Sequence, residues 1–162
     1  MKIKILVAIL FSSFIAINPS LAIDKNTSQH KTVNGVSIYL GVLPAEIIEG
    51  TRISNMHGGL PAGQYRYHIT IALFNDSGKR LDNAHISVQL ATPHDTSELK
   101  MLEEMQFNKQ LVYGNYFTMN ETGPYRIKVI IKHPKYSKPI KSEFQYQISH
   151  ASLKPDLIQK MN

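Results

Sequence analysis

From Gln64 to Phe74 the chain alternates strictly. Tyr65, Tyr67, Ile69, Ile71 and Leu73 fall on one face, and Gln64, Arg66, His68, Thr70, Ala72 and Phe74 on the other. A period of two sustained over this length predicts a half-buried antiparallel strand. Asn75-Asp76-Ser77-Gly78 follows, whose side chains close turns on their own backbone, so the chain reverses into a second alternating run at Ala84, Ile86, Val88 and Leu90. Three later segments also read as strands by composition: Leu111 to Met119, Tyr125 to Lys132 and Ile140 to Ile148. In the second of these Tyr125, Ile127, Val129 and Ile131 oppose Arg126, Lys128 and Lys132. In the third Ser142, Phe144, Tyr146 and Ile148 oppose Lys141, Glu143, Gln145 and Gln147.

The remaining segments are less regular. Val33 to Leu43 offers an Asn34-Gly35 turn and a β-rich run bent at Gly41, with Pro44 at its end or edge. Ala45 to Gly50 suits either an extension of that strand or a helical turn, and Asn55 to Gly63 is dense in turn residues and reads as a loop. In Glu98 to Phe107, Leu99, Leu102 and Met105 recur at helical spacing in a segment flanked by strands. An irregular strand or a single helical turn that sets Leu102 and Met105 against the core is expected there. About seven strands with turn signals between them predict an all-β fold, an antiparallel sandwich of the immunoglobulin or fibronectin kind, over residues 33–148.

The amino-terminal residues change the picture from fold to compartment. Lys2 and Lys4 precede an apolar run from Ile5 to Ile17, and small residues follow up to Ala22. This is the pattern of a secretory signal peptide over residues 1–22, cut after Ala22, and the run is shorter than the roughly 20 residues of a spanning helix. An uncleaved anchor is the alternative. Residues 23–32 are expected to form a flexible leader, and 149–162 a polar tail with a loose helix at Leu153 to Met161. A periplasmic or secreted protein of about 140 residues results, with no transmembrane segment after cleavage. Cysteine is absent, which excludes a lipid anchor at the cut and any disulfide. Without Lys2 and Lys4, 16 basic face 12 acidic side chains, a mild excess that suits an anionic surface better than nucleic acid.

Three stretches carry a family resemblance. They are Gly78-Lys79-Arg80-Leu81-Asp82-Asn83-Ala84 before Ile86 and Val88, then Tyr113-Gly114-Asn115-Tyr116-Phe117, then Gly123-Pro124-Tyr125-Arg126-Ile127-Lys128-Val129. With Met101 to Met105 as a Met-bearing segment, Gly63 to Ile148 resembles the YtkA-like and FixH-like domains. The resemblance implies an exported or tethered bacterial envelope sandwich, in families some of whose members handle copper or assemble oxidases. The Met56-His57-Gly58-Gly59 loop and the strand before it lie outside that pattern.

Candidate chemistry is sparse. No serine sits in a nucleophile elbow, and Asp76, Asp82, Asp95, Glu103 and Glu104 lie in turns or polar stretches where solvation is the ordinary explanation, so no enzyme is expected. Met56 and His57 lie in a glycine-rich loop before His68 on the polar face of the organising strand. If that loop folds back, two imidazoles and a thioether form a copper site, most suited to Cu(I). Against this, Met101, Met105 and Met119 suit core gaps, and His68 suits an ordinary surface position. Tyr116, beside a turn glycine, suits a hydrogen bond to the backbone. Arg126, Lys128, Lys132, Lys135, Lys138 and Lys141 form an acid-free basic run, either a solvated face that guards an edge or a docking surface for an anionic membrane or an acidic partner. The expected function is a non-catalytic periplasmic binding or accessory module with copper as its candidate cofactor. The alternative is a protein-interaction sandwich docking to an envelope complex.

Overall fold

The alternation becomes strand wherever one side can be buried. In the structure, a computed structural model, residues 29–149 except 98 and 108 are described, and 52 and 53 by their backbone alone. The strands among them are β1 (His30–Val33), β2 (Val36–Pro44), β3 (Arg66–Phe74), β4 (His85–Ala91), β5 (Lys100–Phe107), β6 (Gln110–Thr118), β7 (Gly123–Lys132) and β8 (Ile140–Ile148). All pair antiparallel, in the order β1-β2-β3-β6-β5-β4-β7-β8. The sequence predicts about seven strands; the extra one is β1, a short hairpin partner of β2 closed by Asn34 and Gly35, both at positive φ. His30 to Thr32, expected in the leader, are therefore in a strand. The signal segment and the tail beyond Ser149 lie outside the described residues.

The ladder folds in two at β5. Its first half pairs with β4, Ile86 opposite Leu102, and its second half with β6, Glu103 opposite Gly114. One layer is β1-β2-β3-β6 with the end of β5; the other is the start of β5 with β4-β7-β8. Between them Ile38, Ile69, Ile71, Leu73, Ile86, Val88, Leu102, Ile127, Val129, Ile131 and Phe144 form the main core. Two phenols close backbone at its margin. The Tyr113 hydroxyl accepts from Ala84 N–H and the Tyr125 hydroxyl from Glu121 N–H, each at 3.0 Å. Burial pushes the pKa of both up.

Crossing between layers explains the spacing of β5. Leu102 faces the main core, whereas Met105, of opposite parity, is buried on the outer face of the first layer. A burial period of three thus arises in a strand that is covered on both sides in turn. The expectation that both residues meet one core holds for Leu102 alone. No helix of the described residues is long and apolar enough to cross a membrane.

Candidate metal centre

The cover over Met105 is residues 45–63, between β2 and β3. Ala45–Ile48 form one helical turn, α1, and Arg52–Asn55 a 3-10 turn. Thr51 and Ser54 hydroxyls donate back to Ile48 and Thr51 carbonyls, at 2.6 and 2.7 Å, which fixes this short path without a long element. Ala45, Ile48 and Leu60 pack on the Tyr116 ring, a small second core on the outside of the sheet. At the far end Arg66 Nε and Nη2 both donate to Ala62 O. We call this segment the flap.

Within it His57, Gly58 and Gly59 all have positive φ, 57°, 83° and 95°. For His57 that is a sparsely populated backbone conformation, and it turns the ring back toward the sheet. The ring reaches His68 on the outer face of β3, with centroids 5.4 Å apart and planes tilted by 32°. Tyr116, opposite His68 on β6, lies 4.9 Å from the His68 ring and 6.0 Å from that of His57. The sequence assigns His68 to the polar face, and that holds; the flap makes it 1% exposed rather than an ordinary surface residue.

Gly114 supplies the space in front of His68. It sits on β6 between Thr70 and Glu103 in the register, and a Cβ built there would lie 2.9 Å from both His68 Nε2 and Met105 Sδ. One imidazole nitrogen and one thioether thus converge on a point left open by the missing side chain. Glu103, next outward residue on β5, places Oε2 2.8 Å from His57 Nδ1. That carboxylate accepts from Nδ1–H and orients the ring, leaving Nε2 of His57 turned inward without a hydrogen-bond partner.

The electrostatics fit an unprotonated His68. His57 Nε2, His68 Nδ1 and His68 Nε2 are buried with no hydrogen-bond partner. Burial first, and the neighbouring His57 second, push the His68 pKa down to about 4 from its ordinary 6.5. A neutral imidazole in a dry setting is a ready metal ligand, and an unbonded buried nitrogen is costly unless something else binds it. Among the described residues no three or more of His, Cys, Asp and Glu converge in a metal-holding group. The further soft atom beside the imidazoles is the Met105 thioether.

Of the predicted site residues, His57 and His68 are brought together. Met56 is half-buried in the flap, its carbonyl accepting from Gly59 N–H, and the sulfur beside His68 at Gly114 is that of Met105. Sequence reasoning missed Met105, Glu103, Gly114 and Tyr116 as site residues. The signal for Met105 was its three-residue offset from Leu102; Glu103 and Glu104 diverge as adjacent strand residues must, the first to His57, the second toward Tyr113. The basic residues are elsewhere. Arg126, Lys128 and Lys132 lie on the outer face of β7, Lys141 on β8, and Lys135 and Lys138 in the β7–β8 connection. All are exposed except half-buried Lys128, which pairs in register with Glu143.

No family model matches the chain, and no curated protein matches it in sequence. Solved structures do match. FetP of uropathogenic Escherichia coli strain F11, as isolated after expression in the periplasm, superposes with a TM-score of 0.61 at 17% identity over 75% of this chain and 93% of its own. A copper-bound Glu-to-Gln variant of the same FetP gives 0.60 at 16% identity, over 75% and 94%. A DUF4426 family protein from Pseudomonas aeruginosa PAO1 gives 0.59 at 11%, over 74% and 93%. At these identities the likeness carries the fold alone. It supports an antiparallel β-sandwich of this kind and does not single out the YtkA-like or FixH-like domains.

Proposed function

We propose that this chain is a non-catalytic periplasmic accessory protein that binds a single Cu(I) ion under the flap. His57 Nε2, His68 Nε2 and Met105 Sδ would hold it, and Glu103 would position His57. The observation that carries this reading is the set of three buried imidazole nitrogens without partners, one of them converging with a thioether at Gly114. Two neutral imidazoles and a thioether form a soft, uncharged donor set, which suits Cu(I) over the harder divalent ions that ask for carboxylate oxygen. The copper bound by the FetP variant supports the choice of metal, and expression of FetP in the periplasm agrees with the signal pattern of this chain. The basic residues of β7 and β8 would dock an anionic envelope partner or membrane surface from the opposite layer, leaving the flap clear.

The test is titration of the purified chain with Cu(I) against a competing chelator. We expect one ion per chain in the wild type and loss of binding in His57→Ala, His68→Ala and Met105→Leu. Binding that is absent, or unchanged in all three variants, contradicts the proposal.

A further inference from the structure

Met101, Glu103 and Met105 succeed one another on the outward side of β5, because the strand keeps its period of two while it changes partners from β4 to β6. Their exposure drops sharply only at the inner end of that line. Met101 is 55% exposed, the Glu103 side chain 60%, and Met105 6%. Met101 therefore contributes little to any core, and its hydrogen-bonding role is that of its carbonyl, which accepts from Asn115 Nδ2 at 2.9 Å. Asn115 separates Gly114 from Tyr116 and its Oδ1 accepts from Tyr116 N–H, so the start of this line is tied to the strand that floors the site. Leu99, just before the strand, and Phe107, at its end, are comparably exposed, but neither can ligate.

Resting on the copper reading above, we infer that Met101 is the acquisition ligand, the surface thioether that takes Cu(I) from a donor and passes it inward past the Glu103 carboxylate to Met105 and the two histidines. The step is ligand exchange. One bond from copper to its donor breaks as the bond to the Met101 sulfur forms, and that bond breaks in turn as Met105 Sδ and the imidazole nitrogens close on the ion. Copper stays Cu(I) throughout. Glu103 holds His57 through Nδ1, which leaves Nε2 without a hydrogen-bond partner and open to the ion. A thioether suits the first contact because it binds soft Cu(I) while remaining uncharged and readily exchanged.

The other thioether at the margin, Met56, gives the control. Purified full chain is mixed in stopped flow with Cu(I) held by a chromophoric chelator, and the loss of chelate absorbance is followed for the wild type, Met101→Leu and Met56→Leu. Leucine conserves volume, so the fold is retained. We expect Met101→Leu to slow loading by about tenfold, within the range over which on-rates vary among variants of one binding surface. Its stoichiometry and equilibrium affinity should match the wild type, and Met56→Leu should load normally. An unchanged rate in Met101→Leu, slowing confined to Met56→Leu, or an affinity loss in Met101→Leu that accounts for its slower uptake would each overturn the inference. A wild-type chain that takes up no Cu(I) removes the binding reading itself; wild-type uptake with Met101→Leu indistinguishable from it removes only the acquisition role.

Discussion

The molecule buries side chains in two places, and they are built differently. Between the layers, Ile69, Ile71, Ile86, Val88, Ile127 and Val129 belong to one apolar cluster, and the tyrosines at the margin satisfy their hydroxyls on backbone N–H. Under the flap, Ala45, Ile48, Leu60 and Tyr116 enclose two imidazoles with unpartnered nitrogens, a thioether and a glycine. The first place lowers the free energy of the fold by removing apolar surface from water. The second raises it, since each buried nitrogen has given up water without a replacement. That a fold tolerates such a loss in one small patch, and adds a left-handed histidine to reach it, supports the binding proposed above.

Removing bulk from the first place should cost most. Ile69→Ala or Val129→Ala is expected to lose about 2–5 kcal/mol in chemical denaturation, whereas Thr70→Ala, on the outer face, should lose about 1 kcal/mol or less. Equal losses at all three positions would erase the distinction between the faces of β3.

Acid should act on the second place. The folded-state pKa of His68 is depressed to about 4 from 6.5, so as pH falls the unfolded chain takes up the proton first. The contribution of a neutral His68 is fully present above pH 6.5 and is lost progressively toward pH 4, by about 3 kcal/mol at most. Denaturation midpoints of the metal-free protein should fall over that window, and His68→Leu should flatten the dependence. A profile equally steep in the variant would place its origin in other groups.

Filling the cradle separates stability from binding. Gly114→Ala has ordinary φ, yet its Cβ would press on His68 Nε2 and Met105 Sδ. We expect overpacking of about 1–3 kcal/mol and a loss of Cu(I) affinity of about tenfold or more. Wild-type affinity in that variant would move the ion away from Gly114. Smallest of all, reversing Lys132 and Lys141 to Glu should shift stability within about 0.5 kcal/mol and leave copper binding unchanged. Sedimentation with anionic vesicles should drop if these residues dock the protein, and unaltered sedimentation would assign them to solubility.

What could be read from the chain follows from the same contrast. The main core is legible because the strands that line it keep one dry face and one wet face, so alternation from Arg66 to Phe74 or Tyr125 to Lys132 reports on burial, whereas Tyr65, predicted on the apolar face, lies before β3 at positive φ and is exposed. The flap breaks that rule. It dries part of the wet face of β3, β5 and β6, and no period in Ala45 to Gly63 announces where its turns will come to rest. His57 and His68 could be named because imidazoles in a glycine-rich loop and on the adjoining strand suit a metal. Met105 and Glu103 could not, because they come from a strand nearly fifty residues further along in the chain, brought beside His57 only through the pairing of β5 with β6. Met56 was the nearer sulfur in sequence and Met105 the one the register delivers.

X-ray absorption at the copper edge of the Cu(I)-loaded protein tests the centre most directly. Nitrogen and sulfur scatterers together are expected in the first shell of the wild type, with the sulfur contribution lost in Met105→Leu and retained in Met56→Leu. A first shell without sulfur, or one whose sulfur disappears with Met56 and persists without Met105, would contradict the proposed centre.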